Sequence, residues 1–347
     1  MTTSASNSPS KSVSSSSSTS ARAVLFHEIG GPDVLTVEEV ELPPPGPGEV
    51  LVRVEALALN RAEALFRSGG YFYQPTLPGS RNGYEAAGEV EAVGEGVTGF
   101  APGDPVLSAG NFDLGVHGVY GDRVLLPETS LVARPAGTDP VTAAAVWLTY
   151  TTAYGALVER AGMGPGDRVL ITGASSGAGT AAIQVARRAG AVPIVTTRTE
   201  AKRRRLYDLG AEHVIVSDDE DVVKETRRLT DGQGVDIVFD AIGGAGFAAL
   251  GEAVVPDGTL VSYGWLDQQP ILLPRRWPLT VHGYADFVVT GNPEGRRRAA
   301  HYIGSGLADG TLRPVVAEVF DGLDRIRDAH RLMESNTHTG KIVVRVE

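Results

Sequence analysis

The chain is 347 residues long, 42% hydrophobic, and carries a formal net charge of −11. That length suits one large domain or two ordinary ones, and so acidic a chain excludes nucleic acid and anionic membranes as partners, because both would repel it. The complete absence of cysteine excludes disulfides, thiolate nucleophiles, iron–sulfur clusters and every cysteine-ligated zinc site.

Residues 1–20 include eleven serines and lack an apolar h-region, so they read as a disordered tail rather than a secretory signal, with cytoplasmic residence. From 21 to 149, short apolar runs such as VLVRVEALALN and GEVEAVGEGV are separated by Gly/Pro clusters. This pattern predicts antiparallel strands in a barrel-like arrangement. After Ala143 the period changes, and AAAVWLTYTTAYGALVER predicts a helix joined to another by a short break. Between 150 and 284 the apolar strands VLITG, PIVTT, HVIV, VDIVFD and TLVSYG alternate with helical segments, TLVSYG closing the series. Such alternation predicts an α/β domain built on a doubly wound parallel sheet. Residues 285–347 carry two helical patterns, near 296–308 and 323–334, and a closing strand KIVVRV. Their simplest place is back on the first domain, which makes the doubly wound unit an insertion. No run approaches the ~18 apolar residues that a bilayer span requires, so the chain reads as soluble.

The turn Gly173-Ala-Ser175-Ser176-Gly177-Ala178-Gly179 follows a predicted strand and opens a predicted helix. Small residues there let the backbone approach a pyrophosphate, whose charge the helix N-terminus stabilises. The same residues contain G-x-S-x-G spacing, but no triad context accompanies it, and phosphate binding accounts for them better than a nucleophile elbow. Where the second strand ends, an acidic residue would bond the ribose 2′-hydroxyl of NAD, and a basic one would receive the 2′-phosphate of NADP. Arg198 stands there with Lys202 one turn on, which favours NADP(H); Glu200 keeps NAD open, and a solvated basic helix face is the alternative.

LNRAEALFRSGGY, GYEAAGEVEAVGEGVTGF, TTAYGAL, GASSGAG and TGKIVV, in this order, resemble the medium-chain dehydrogenase/reductase superfamily, in its zinc-independent quinone oxidoreductase-like branch. The resemblance implies a GroES-like catalytic domain (21–149 and 285–347) and a Rossmann domain (150–284). Zinc-dependent members place a cysteine where this chain has Asn60 and a histidine where it has Tyr84, so no metal site is expected. What the resemblance then implies is hydride transfer to an enone or quinone. Asn60 would sit beside the nicotinamide, Tyr71 would bond the acceptor carbonyl or supply a proton, and Arg67 would be catalytic or else pair with a carboxylate. Glu63 replaces the usual aspartate and Leu65 a tyrosine, while Glu85 reads as structural. Thr152, Ala241, Ile242, Gly243, Tyr263, Gly264 and Lys341 match positions that line the cofactor. The pocket is expected between Asn60, Tyr71, Tyr73, Trp147 and residues near Trp265 or Phe287, in a chain that pairs as a homodimer. The alternatives are a tailoring enzyme acting on one specialised metabolite and a non-catalytic NADPH-binding protein.

Overall fold

Strands β8 (Arg168–Ile171), β9 (Val192–Thr197), β10 (His213–Val216), β11 (Val235–Asp240), β12 (Val254–Ser262) and β13 (Thr280–Gly283) form one parallel sheet in the order β10-β9-β8-β11-β12-β13. Leu170, Ile194, Ile215 and Val238 face one apolar cluster, while Val169, Ile171, Val195 and Phe239 face another. Burial on both faces is why these strands read as unbroken apolar runs. Strand order reverses between β8 and β11, which opens a crevice at their carboxyl ends, the place where such sheets receive nucleotides. The doubly wound α/β unit is therefore present, with one strand more than the sequence suggests. β13, with sequence TVHG, has a single large apolar residue, Val281, and sits at the sheet edge, so no apolar run announces it.

The structure, a computed structural model, describes residues 18–346. The serine-rich segment therefore lies outside the described residues up to residue 17. Thr19 and Ser20, expected within the unstructured tail, instead begin β1 (Thr19–Leu25), which pairs antiparallel with β2 (Thr36–Leu42). A seven-stranded sheet holds β3 (Glu49–Ala58), β4 (Glu85–Val93), β5 (Pro105–Ser108), β6 (Arg123–Pro127) and β7 (Leu131–Ala133). It is completed by β14 (Val316–Asp321) and β15 (Lys341–Arg345), the latter antiparallel to β3. Among the described residues no helix is long and apolar enough to cross a membrane.

One apolar cluster runs from Ala56 and Ala87 of the seven-stranded sheet through Trp147 and Tyr150 to Val195 and Ile303, so the two sheets share a core. A backbone link between them is Gly340, whose N–H donates to Ser175 O at 2.9 Å and which bridges to Ser176. Gly340 has φ +98°, and a Cβ there would lie 2.2 Å from Val315 O. Both constraints demand glycine. Gly340→Ala is expected to lower unfolding free energy by about 1–3 kcal/mol, read by urea titration, and to loosen the glycine-rich turn against which it bonds.

Candidate functional site

A cleft of about 1570 Å³ runs between the two sheets and reaches from Arg198 at one end to Tyr71 and Phe287 at the other. Its floor is the turn after β8. Gly173 takes φ +58°, and Ser176 caps the helix Gly177–Arg188 by accepting from Gly179 N at 3.0 Å. Gly173, Ser175, Ser176, Gly177 and Ala178 line the cleft. Gly179 does not; a Cβ on it would lie 2.6 Å from Ala174 Cα, so its role is to let the helix pack against the turn.

At the far end of β9 the exposed Arg198 lines the cleft. Glu200 is drawn into an ion pair with Arg203 at 2.7 Å, and Arg203 also reaches Val214 O and Glu220. Lys202 donates to Ser175 Oγ, Asn336 O and His338 O at 3.3, 2.8 and 2.8 Å, so its ammonium stitches the turn to the segment before β15. Burial and then Arg198 depress Lys202, and burial likewise depresses Arg61, again with help from Arg198. Burial, with Lys202 and Arg61 nearby, pushes His338 down to about 4, so it is neutral in this basic corner.

In the middle of the cleft a buried network gathers four elements. Lys341 Nζ donates to Leu59 O, Asn60 Oδ1 and Glu85 Oε2 at 2.7, 2.6 and 2.7 Å. All three ammonium protons are thereby used. Asn60 Nδ2 donates to Glu63 Oε1 at 3.0 Å, Glu63 also accepts from the backbone of Asn60 and Tyr84, and Glu85 Oε1 accepts from Leu148 N at 2.9 Å. Burial raises the Glu63 carboxyl to about 7 against the pull of Lys341. Thr152, whose hydroxyl donates to Leu148 O, lines the same stretch.

Opposite, Asp240 accepts from Thr172 Oγ1 at 2.6 Å and from Gly243 N at 2.7 Å, which holds the Ala241-Ile242-Gly243 loop at the cleft wall. Tyr263 stacks on Phe239 at 3.9 Å, and Gly264 follows it along the wall. Five buried polar atoms on cleft residues have no partner: Asn111 Oδ1, Thr197 Oγ1, Tyr263 OH, Asp286 Oδ1 and His338 Nδ1. Unpaired buried groups of this kind are what a polar ligand would satisfy, and with the capped helix end and glycine cradle they fit a dinucleotide.

Beyond Asn60 the wall becomes aromatic. Tyr71 stacks on Phe72 at 4.0 Å and lies 6.2 Å from Trp265, with Tyr73, Tyr84, Phe112 and Phe287 nearby along the cleft. Two expected members are absent. Trp147 is buried and donates its indole N–H to Ala109 O at 3.1 Å, because its apolar bulk fills the shared core. Arg67 is 1% exposed and pairs with Glu334 away from the cleft, the carboxylate partner that its long charged side chain needs when buried.

Sequence reading passed over Asp240, the Tyr84 hydroxyl and Asp286. The first two sit in recognised motifs, VDIVFD and GYE, whereas Asp286 has no motif to mark it. Asp286 lines the cleft, accepts from Thr151 Oγ1 at 3.0 Å, and keeps Oδ1 unpartnered. Burial above all raises its carboxyl to about 8. The folded state thus keeps a proton that the unfolded chain releases near the ordinary 3.8, so stability falls as pH rises between those values. Asp286→Asn removes that loss. In urea titrations the stability of the variant relative to the parent is expected to grow from pH 5 to pH 9.

Two family patterns match this chain: "Alcohol dehydrogenase GroES-like domain" over residues 46–136 and "Zinc-binding dehydrogenase" over 209–344. A quinone oxidoreductase from Lama guanicoe is 30% identical over 328 residues, covering 93% of this chain and 97% of that protein. A segment of a phenolphthiocerol/phthiocerol polyketide synthase from Mycobacterium tuberculosis is 33% identical over 342 residues; the chain covers only 15% of that protein's length. The crystal structure of Escherichia coli quinone oxidoreductase complexed with NADPH superposes with a TM-score of 0.86 at 27% identity, covering 94% of this chain and all of that one. The chain belongs to the medium-chain dehydrogenase/reductase superfamily, in its quinone oxidoreductase-like branch.

Proposed function

We propose that the protein is a zinc-independent reductase that uses NADPH to transfer a hydride to an α,β-unsaturated carbonyl or a quinone. The observation that carries this reading is the commitment of Asn60. Its carboxamide is held on one side by Lys341 and on the other by Glu63, where the zinc-dependent relatives place a cysteine ligand. Tyr84 occupies the histidine position, and among the described residues no group of three His, Cys, Asp or Glu side chains is placed to hold a metal. A conjugated acceptor accepts hydride without a Lewis acid, provided that a hydrogen bond receives the charge developing on its oxygen. Tyr71 at the aromatic end of the cleft is the group for that bond. The residues that would hold the cofactor are the Gly173–Ala178 turn at the pyrophosphate, Thr152, Ala241–Gly243, Tyr263 and Gly264 along the wall, and Asn60 at the nicotinamide. The bound cofactor supplies the hydride.

Preference for NADPH rests on Arg198, unpaired by Glu200 and backed by Arg61 and Lys202. The test is oxidation of NADPH and NADH at matched concentration against a panel of enones and quinones. NADPH turnover is expected with at least one acceptor class. Arg198→Ala is expected to raise KM for NADPH about 10- to 100-fold, the equivalent of losing ~1.4–3 kcal/mol of charge-assisted bonding, and to leave NADH unchanged. No turnover with any acceptor sinks the reductase reading and leaves the non-catalytic NADPH-binding one; equal use of NADH sinks the NADPH one.

The polyketide synthase match favours a second reading, in which the acceptor is one biosynthetic intermediate. An enoyl thioester preferred over every free enone and quinone in the same panel would establish it. For assembly we propose a homodimer through β13, whose outer edge is unpaired among the described residues beside the exposed Leu272, Leu273 and Trp277. Light scattering is expected to give twice the 36.4 kDa chain mass, and Trp277→Glu to reduce it to one.

A further inference from the structure

Three tyrosine hydroxyls meet at the aromatic end of the cleft. Tyr73 Oη lies 2.9 Å from Tyr84 Oη, and Tyr84 Oη lies 3.2 Å from Tyr71 Oη. At the head of this row the Leu114 amide reaches Tyr73 Oη at 3.1 Å. An amide N–H can only donate, so Tyr73 accepts there with one lone pair. If Tyr84 gave its proton to Tyr73, Tyr71 could give its own to Tyr84, and the one proton without an acceptor in the protein would be that of Tyr73, leaving none of Tyr71 to offer a ligand. With the opposite sense, Tyr73 donates to Tyr84 and Tyr84 donates to Tyr71, and every proton in the row has an acceptor except that of Tyr71.

We propose that Tyr73 and Tyr84 are positioning residues that direct this row, leaving the Tyr71 O–H as the donor that gives its proton to the carbonyl oxygen of the acceptor. The inference rests on the reductase reading above and extends it to two residues that do not themselves transfer the proton.

The surroundings hold the row in place. Tyr84 is pinned at both backbone ends, its N–H donating to Glu63 Oε1 at 3.0 Å and its carbonyl accepting from Ser108 Oγ at 2.8 Å. The Tyr71 ring is confined by Phe72, by Trp265 and, edge-on at 6.2 Å, by Phe66. Trp265 in turn donates to Gly70 O, the residue before Tyr71. Burial raises Tyr71, which keeps the hydroxyl protonated at neutral pH, and its bond with Tyr84 acts in the opposite sense by favouring the phenolate.

In the reduction itself, a hydride forms a C–H bond at the electrophilic carbon of the acceptor, and the conjugated electron pair moves to the carbonyl oxygen. That oxygen takes the proton of Tyr71, giving an enol, which for a quinone is the keto tautomer of the hydroquinone and reaches it when a proton leaves the reduced carbon and one is added to the remaining carbonyl oxygen. The phenolate left on Tyr71 keeps the hydrogen bond from Tyr84, and a solvent proton restores it. For an enone, the enol then tautomerises to the saturated ketone.

The experiment compares the parent with Tyr71→Phe, Tyr84→Phe and the double variant, using NADPH with 1,4-naphthoquinone and with 4-phenylbut-3-en-2-one. Turnover is measured in H2O and D2O, and NADPH affinity by fluorescence titration. Tyr84→Phe is expected to lower kcat about 10- to 100-fold, within the range that positioned proton transfer supplies. KM is expected to stay within about 3-fold and NADPH affinity to be unchanged, because the substitution removes an interaction needed only as charge develops. Its solvent isotope effect is expected to rise. The double variant should be no slower than Tyr71→Phe alone, since Tyr84 acts through Tyr71. Loss in the double variant equal to the product of the two single losses, or a Tyr84→Phe enzyme with parental kcat and isotope effect, overturns the directed row. If Tyr71→Phe itself keeps parental kcat, the donor assignment falls and the row with it. If Tyr71→Phe fails while Tyr84→Phe is normal, only the row falls.

Discussion

The Lys341 ammonium, buried and shared by Leu59 O, Asn60 Oδ1 and Glu85 Oε2, holds the site together. It starts from the last strand, β15, and ties the residue that follows β3 to the first residue of β4. Through Glu85 it reaches the helix Trp147–Ala153, and through Asn60 and Glu63 it reaches the backbone of Tyr84. A buried ion pair survives only when its remaining protons and lone pairs are satisfied, and breaking one costs about 3–5 kcal/mol. The full set of partners around Lys341 meets that requirement. Its stem also passes the glycine-rich turn, where a Cβ on Gly177 would lie 2.7 Å from Lys341 Cδ. One side chain therefore sets the relation between the glycine-rich turn, Asn60 and the aromatic pocket.

Zinc chemistry and the Lys341 network compete for the same position. The medium-chain framework can support a metal where a cysteine follows β3 and a histidine precedes the β4 glutamate. Here the first position is an asparagine whose two polar atoms are spent on Lys341 and Glu63, and the second is a tyrosine whose hydroxyl faces Tyr71 and Tyr73. The chain replaces a metal-ligand shell by hydrogen-bond donors and aromatic surface. On the reductase reading proposed above, such a pocket would take an apolar planar acceptor whose oxygen needs one proton.

The doubly wound sheet was legible in the sequence because burial on both faces writes itself as apolar runs separated by helical periods. β13 escaped because an edge strand of four residues needs no such run. The phosphate turn could be read from Gly173 to Gly179, although the last glycine serves packing rather than the cleft. Local patterns could not tell where long side chains end. Lys341 reads as a cofactor contact and proves to have all its donors occupied within the protein. Trp147 reads as a cleft aromatic and lies in the core, and Arg67, marked by a motif, spends its charge on Glu334. Asp286 was invisible for the converse reason: its unusual protonation comes from burial by residues distant in sequence, against the opposing hydrogen bond from Thr151. Motifs report local backbone and residue type, and these four outcomes are set by tertiary packing.

Every role given to these cleft residues presupposes direct hydride transfer from a bound nicotinamide to carbon. The sharpest test uses NADPH deuterated at C4 on one face or the other, with 4-phenylbut-3-en-2-one as acceptor and mass spectrometry of the product. One of the two labelled cofactors, and only one, is expected to place deuterium on the β-carbon of the saturated ketone, because the proposed transfer requires a nicotinamide bound with a single face toward the acceptor. Consumption of NADPH with no label in the product from either face would show that hydride does not pass directly to carbon.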